Sequence, residues 1–98
     1  MSDFKELDPI LHSQLRLAVM SLLVGSREEE FTTLKDKTGA TAGNLSVQIQ
    51  KLRDAGYIEV VKKFRDNYPL TVCRVTPSGT KAFDLYVSSL QAYLRPKK

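Results

Sequence analysis

The stretch of residues 31–56 permits few folds, because two short helical patterns meet there with almost no chain between them. The first pattern stops at Gly39, since glycine adopts the left-handed backbone angles that end a helix without strain. Thr41 starts the second pattern, which is expected to run over Ala42–Ala55 and to end at Gly56. Two short helices joined by a tight turn that contains glycine form a helix-turn-helix, and this is the interpretation of residues 31–56.

Helical patterns also lie on both sides of this segment. Asp8-Pro9 pairs an N-cap acid with proline at the first helical position, which predicts a helix over residues 8–25 with Gly25 as its end. Thr76-Pro77 repeats the signal and predicts a last helix over residues 77–94. The first helix is apolar on more than one face, and such a helix needs a second burial partner.

Two β-rich runs fill residues 57–76, between the helix-turn-helix and the last helix. Residues 57–63 alternate in polarity as a strand, residues 64–69 form a polar loop, and residues 70–75 return as a second strand. With a very short strand between the first two helices, the predicted fold is α+β and mainly α. A hairpin directly after a helix-turn-helix is the winged-helix arrangement, in which the loop at the hairpin tip is the wing.

The positive charge of the chain is concentrated in its middle. Residues 32–74 hold eight basic and four acidic side chains, so the whole formal net charge of +4 lies there. A localised basic patch indicates a polyanionic partner, of which DNA is the commonest, although a solvated face without a partner is the alternative. No apolar run approaches the roughly 20 residues of a membrane span, and the acidic N-terminus is unlike a secretory signal. A cytoplasmic protein without a membrane partner is therefore expected.

Several function classes are disfavoured by what the chain contains. One cysteine, Cys73, and one histidine, His12, exclude an intrachain disulfide and a Cys/His zinc site within one chain. Cys73 shares strand parity with Val75, which favours a buried, inert thiol over a redox sensor. The acidic run Glu28–Glu30 is interpreted as a solvated loop, and nothing resembles a nucleophile–base pair or a glycine-rich phosphate loop. A single domain over residues 1–98 without enzymatic activity, metal or cofactor is expected.

The second helix of the helix-turn-helix presents a candidate base-reading face. With Leu45, Ile49 and Leu52 on its buried side, the opposite side is polar and carries one lysine. Asparagine and glutamine can pair with adenine in the major groove, valine can contact the thymine methyl, and free N–H groups at a helix start suit phosphate. The alternative is an ordinary solvated face. The predicted DNA-contacting residues of this helix are Thr41, Ala42, Gly43, Asn44, Ser46, Val47, Gln50 and Lys51.

The hairpin carries a second candidate DNA contact. Lys62, Lys63, Arg65 and Asn67 lie at or near its tip, where basic side chains can neutralise phosphates or enter the minor groove. The alternative is a charged hairpin that blunts an exposed strand edge.

The motifs TGATxGNLSxxIxKLxxAGYI and RVTPSG carry a family resemblance. From Phe31 to the final helix, the chain resembles the compact single-domain winged-helix regulators of the MarR family, with features shared with ArsR-type regulators. The resemblance implies that the helix beginning at Thr41 is the recognition helix and that the hairpin loop around Arg65 is the wing. It also implies dimerisation through the terminal helices, residues 8–25 and 77–94.

Both terminal helices are more apolar than a small monomer is expected to hide, although they could simply cover each other and the core. The predicted dimer-interface residues are Leu11, Leu15, Leu17, Met20, Tyr86, Leu90, Tyr93 and Leu94. The expected protein is thus a homodimeric, sequence-specific regulator of transcription that binds double-stranded DNA at a palindromic operator. A winged-helix protein-interaction module without sequence-specific DNA binding is the alternative. An unidentified small effector is a further candidate partner.

Overall fold

The computed structural model describes residues 4–95, so the first three and last three residues of the expected domain lie outside the described part. The described chain contains α1 (Gln14–Ser26), β1 (Glu28–Glu30), α2 (Phe31–Thr38), α3 (Ala42–Asp54), β2 (Ile58–Arg65), β3 (Tyr68–Val75) and α4 (Pro77–Leu94). The strands form one antiparallel sheet in the order β1-β3-β2. This architecture confirms the predicted α+β, mainly α fold and the winged helix-turn-helix.

The first helix begins later than predicted. At Asp8-Pro9 the chain makes a single turn, in which Asp8 Oδ1 accepts from the N–H of Ile10 at 2.8 Å. The guanidinium of Arg16 then donates to the carbonyl oxygen of Ile10 at 2.6 Å. In a continuous helix that carbonyl would accept from Gln14, so the turn is not continued and α1 starts at Gln14. The prediction of a helix start at residue 9 is therefore wrong.

The far end of α1 also differs from the prediction. Gly25 lies inside the helix, and the chain leaves the helix at Arg27, whose φ is 76°. The N–H of Arg27 bonds to the carbonyl oxygen of Leu23 at 2.7 Å and closes the last turn. Its own carbonyl accepts from Val75 at 3.0 Å, which turns the chain directly into the sheet. The sheet, and not the glycine, decides where α1 ends.

The acidic run Glu28–Glu30 is a strand, which confirms the very short strand predicted between the first two helices and corrects the interpretation of the run itself as a solvated loop. This strand pairs with β3 in antiparallel register, and Glu28 lies opposite Arg74. Arg74 Nε donates to Glu28 Oε1 at 3.0 Å. Acidic side chains are poor strand formers, but opposite charges across a strand pair stabilise the pairing.

The hairpin is longer and its loop shorter than predicted. The strands pair as far as Arg65 opposite Tyr68, so only Asp66 and Asn67 form the turn, with φ of 50° and 69°. Two consecutive positive φ angles are typical of the type I′ turn, whose twist matches that of the flanking strands. The prediction of a loop over residues 64–69 is therefore wrong. Pro69 fits in β3 because β1 does not extend that far along it.

The core contains three residues that were expected at a dimer interface. Leu11 and Met20 are completely buried and Tyr86 is 4% exposed within the single chain. They pack with Leu23, Leu45 and the other core residues, so no partner surface can reach them, and their assignment is corrected. Of the remaining predicted interface residues, Leu15, Leu17 and Leu90 are half-buried against the core, whereas Tyr93 and Leu94 are exposed.

A close approach at the start of α4 explains part of the RVTPSG motif. Thr76 caps α4 by accepting from the N–H of Gly79 at 2.9 Å, and Pro77 occupies the first turn, as predicted. Thr76 also donates to the carbonyl oxygen of Gly56 at 2.7 Å. A Cβ at Gly79 would lie 2.1 Å from the carbonyl oxygen of Tyr57, so only glycine fits. The motif thereby fixes α4 against the beginning of the hairpin.

No helix within residues 4–95 is long and apolar enough to cross a membrane.

Candidate nucleic-acid interface

Helix α3 is anchored on one side and open on the other. Leu45 and Leu52 are completely buried and Ile49 is 6% exposed, as the helical spacing predicted. The eight residues predicted to contact DNA are all exposed. Among them is Val47, an apolar residue with 51% of its surface open to solvent. The structure therefore places these eight residues together on one accessible helix surface.

The turn before α3 holds the helix start in position. Gly39 has the left-handed φ of 73° expected of a helix stop, and its N–H bonds to the carbonyl oxygen of Lys35 at 2.9 Å. The hydroxyl of Thr41 accepts from the N–H of Asn44 at 3.2 Å and caps α3. The first N–H groups of an α-helix have no acceptor within the helix. Those of Ala42 and Gly43 thus lie at an exposed helix start that suits an anion.

A chain of side-chain hydrogen bonds runs along the exposed side of α3. Arg16 of α1 donates through Nη1 to Gln48 Oε1, and Gln48 Nε2 donates to Asn44 Oδ1 at 3.0 Å. In a separate contact nearer the end of α3, Gln50 Nε2 donates to Asp54 Oδ1 at 2.9 Å. Sequence reasoning missed Arg16 and Gln48. A lone arginine within the apolar run from Leu15 to Met20 was the only available signal.

The three basic side chains of β2, Lys62, Lys63 and Arg65, are exposed, but partners on the same sheet already hold each of them. Lys63 Nζ lies 3.3 Å from Glu28 Oε2, and Arg65 Nη2 lies 2.7 Å from Glu30 Oε2. Lys62 donates to the hydroxyl of Thr71 at 2.8 Å. This arrangement corresponds to the alternative of a charged hairpin, yet it leaves Lys63 and Arg65 at 44% and 64% side-chain exposure. They remain accessible to a phosphate that competes with the glutamates.

The strand β1 is thus an anionic neighbour of the wing. The hydrogen bond from Arg74, followed by that from Lys63, holds the pKa of Glu28 below its usual value. Glu28 is therefore ionised at neutral pH.

The two exposed aromatic residues nearest the hairpin tip, Phe64 and Tyr68, are each 74% exposed and were not among the predicted contacts. They are available for contacts beside Asn67, which is exposed in the turn.

A shallow cleft of about 430 Å³ lies between the start of α1 and α3. Its lining includes Leu15 and Ala18 of α1, and Asn44 and Gln48 of α3. A molecule in this cleft would contact the same amides that form the hydrogen-bond chain on α3.

The cysteine lies away from these surfaces. Cys73 is completely buried in the core, as its strand parity predicted, and burial raises the pKa of its thiol to about 11. His12 is exposed, and its Nδ1 shares a hydrogen bond of 2.9 Å with the hydroxyl of Tyr86. Residues 4–95 contain no cluster of three or more histidine, cysteine or acidic side chains that could hold a metal ion.

Comparisons with known proteins agree with this geometry. The profile of a protein family described as "winged helix DNA-binding domain" matches residues 15–94. An uncharacterized protein of Methanocaldococcus jannaschii is 33% identical over 78 residues, which cover 80% of this chain and 85% of that protein.

Solved structures show the same architecture. A transcriptional regulator homologue protein from Pyrococcus horikoshii is 30% identical, with a TM-score of 0.82 over 87% of this chain and 84% of the other. The antimony-specific transcriptional repressor AntR is 20% identical, with a TM-score of 0.65 over 88% of this chain and 75% of its own. At that identity the second likeness shows the fold alone.

Proposed function

The chain belongs to the winged helix DNA-binding domain family, and from this membership we propose that it is a sequence-specific, homodimeric regulator of transcription acting at a palindromic operator. The proposal includes the finer assignment to MarR-type regulators with ArsR features, action in the cytoplasm, and the absence of catalytic activity. The similar structure from Pyrococcus horikoshii, described as a transcriptional regulator homologue, supports the regulatory role.

The observation that carries the proposal is the open face of α3. An α-helix fits the major groove, where base edges differ in their donor and acceptor patterns. A helix enters the groove when its apolar side is fixed to the protein body and its polar side projects. Helix α3 meets both conditions, because Leu45 and Leu52 are buried while Asn44, Val47 and Gln50 are exposed. In the proposed complex Lys51 and the start of α3 approach phosphates.

The wing contributes binding that is independent of base sequence. Lys62, Lys63 and Arg65 are proposed to neutralise phosphates, with Asn67 at the tip approaching the minor groove. Contacts of this kind release counterions, so affinity should fall steeply as salt rises. Arg65 must leave Glu30 to make its contact, and Lys63 must leave Glu28.

The proposed dimer uses the surfaces that the monomer leaves open. Leu94 is 70% and Tyr93 is 42% exposed at the end of α4, near the half-buried Leu90. Together with Leu15 and Leu17 of α1, these residues form the revised candidate interface. A two-fold dimer would place two recognition helices about 34 Å apart, which matches successive major grooves on one side of DNA. Sedimentation equilibrium at micromolar concentration should show a dimer, and a monomer alone would contradict this part of the proposal.

The cleft between α1 and α3 is the proposed location for a small effector. A ligand there would contact Gln48 and Asn44, so it would act directly on the proposed reading face. Hydroxyl, amide and aliphatic groups line the cleft, which suits a small ligand that has both polar and apolar parts.

The alternative function is a protein-interaction module in which α3 docks a protein partner. Salt dependence of binding separates the two functions, because a DNA complex loses affinity steeply between 50 and 200 mM salt, on the order of a hundredfold or more for several phosphate contacts. The experiment is fluorescence anisotropy with a duplex enriched by selection from random DNA and with a scrambled duplex. We expect tighter binding of the selected duplex and steep salt dependence for both. Equal affinity for every duplex, or no binding at low salt, would overturn the proposed function.

A further inference from the structure

Two charged residues determine which way the side-chain amides of α3 point. A guanidinium group has only donors, so the amide that meets Arg16 must present its oxygen. Gln48 does so, since Arg16 Nη1 donates to Gln48 Oε1. The nitrogen of the same amide, Nε2, then donates to Asn44 Oδ1 at 3.0 Å. One of the two lone pairs of Asn44 Oδ1 is thereby occupied, whereas the Nδ2 amino group of Asn44 finds no acceptor among residues 4–95 and keeps both of its donors available.

The side-chain amide of Gln50 is oriented in the opposite sense. An ionised carboxylate has only acceptors, so the amide that meets Asp54 must present its nitrogen. Gln50 Nε2 donates to Asp54 Oδ1 at 2.9 Å. The oxygen Oε1 of Gln50 is consequently the atom without a partner among the described residues. Asn44 and Gln50 both lie on the exposed side of α3, so this side offers a donor near its start and an acceptor about 1.7 turns later.

We propose that Arg16 and Asp54 set the hydrogen-bond polarity of the base-reading face, so that Asn44 reads guanine and Gln50 reads an amino-bearing base, cytosine or adenine. In the major groove guanine presents two acceptors, N7 and O6, whereas cytosine and adenine present an amino donor. This inference rests on the proposed DNA-binding function and adds base specificity to it. It differs from the bidentate adenine contact suggested by the sequence, because one amide atom of each side chain is already partly engaged: Asn44 Oδ1 by Gln48, and Gln50 Nε2 by Asp54.

Arg16 is well placed for this positioning role. Its Nε donates to the carbonyl oxygen of Ile10 at 2.6 Å, and Nη2 donates to that of Pro9 at 3.5 Å. The turn before α1 therefore holds the guanidinium independently of Gln48. Arg16 acts through Gln48 on Asn44 and needs no contact with DNA.

The test compares base-preference profiles, obtained by selection from a random duplex library, for the full chain and its variants. Asn44→Ala and Gln50→Ala first identify the base position that each side chain reads, because preference is lost at that position alone. Gln48→Met then breaks the link to Arg16 but keeps the length of the side chain and the contacts of Arg16 with the turn. We expect guanine preference at the Asn44 position to fall about fivefold toward adenine, since one net hydrogen bond is worth roughly 1 kcal/mol. The Gln50 position should be unchanged.

Asp54→Asn is the complementary variant and does not depend on how well the Gln48 variant folds. Its carboxamide can donate as well as accept, so Gln50 is free to turn, and preference should relax at the Gln50 position only. Removal of the negative charge should also raise affinity for all duplexes, which leaves the profile at the other positions unaffected. Gln91→Met on the exposed surface of α4 is the matched control and should leave the whole profile unchanged.

The outcomes separate this inference from the function on which it rests. If the wild-type chain shows sequence preference but the Gln48 and Asp54 variants keep its profile, the polarity inference is wrong and the proposed function stands. If those variants weaken all duplexes equally with no change in profile, their role is structural and the inference is again overturned. If the wild-type chain binds no duplex, both fail. A wild-type preference for adenine at the Asn44 position would contradict the inference directly.

Discussion

Replacing Glu30 by glutamine should strengthen DNA binding by releasing Arg65 from its partner on the sheet. The two groups lie 2.7 Å apart, with 64% and 30% of their side chains exposed. An exposed ion pair of this kind contributes about 0.2–1 kcal/mol. Arg65 must give up that contribution to reach a phosphate. The Glu30→Gln variant should therefore bind about 1.4- to 5-fold more tightly per subunit, because 1.4 kcal/mol corresponds to a factor of ten.

Loss of a negative charge also favours DNA by itself, so the measurement needs a matched control. Glu59 projects from the same face of the sheet, opposite Arg74 in the register, is exposed, and takes part in no ion pair within residues 4–95. Glu59→Gln therefore removes the same charge without releasing a basic side chain. Anisotropy titrations of both variants at one fixed salt concentration give their affinities for DNA. The difference between the two affinities is the effect of releasing Arg65.

If Glu30→Gln gains no more affinity for DNA than Glu59→Gln, Arg65 has no phosphate to reach and this prediction is wrong. A loss of affinity in Glu30→Gln would contradict it as well, because Glu30 would then be holding Arg65 in its binding position. Repeating the titrations with the Arg65→Ala background should remove the difference between the two glutamate variants.

Three further predictions follow from the core, the terminal helix and the cysteine. Gly79→Ala should destabilise the fold by about 2–3 kcal/mol, because a Cβ would lie 2.1 Å from the carbonyl oxygen of Tyr57; urea unfolding with a loss below roughly 0.5 kcal/mol would contradict this. Leu94→Lys should shift the proposed dimer toward monomer in sedimentation while leaving the thermal midpoint of the monomer nearly unchanged, since Leu94 is 70% exposed. Burial raises the pKa of the Cys73 thiol from 9.0 to about 11, so folding favours the neutral thiol. The stability that this preference contributes is complete below pH 9 and is lost as the pH rises toward 11. Unfolding of Cys73→Ala should therefore lack that part of the alkaline decline seen in the wild-type chain.

The recognition helix could be predicted almost completely from its residues. The threonine cap, the glycine stops and the apolar spacing of Leu45, Ile49 and Leu52 act within a few residues of one another, so their effect is the same in any compact fold. The observed helix, Ala42–Asp54, ends one residue before the predicted end, and its open face holds every residue expected there. The same local signals placed α4 correctly.

Where local signals competed with distant partners, the predictions failed. Asp8-Pro9 is a good helix start, but Arg16 takes the carbonyl that the helix would have used. Glu28–Glu30 resembles a loop by composition, and it became a strand because Arg74 and its neighbours on β3 offered both a sheet edge and opposite charge. Met20 and Tyr86 were surplus apolar residues on separate helices until the fold brought them into one core.

From the order of its residues alone, this chain could be recognised as a winged helix with an exposed polar face on α3, since caps, stops and periodicity operate over one or two helical turns. The state of the side chains on that face depended on folding. Gln48 meets Arg16 across 32 positions of sequence, and Lys63 and Arg65 meet their glutamates across 35. Contacts over such separations arise only when β1 is paired with the hairpin and α1 is packed against α3. Hydrogen-bond polarity and charge pairing, which decide what the surface can bind, are therefore properties of the packed structure.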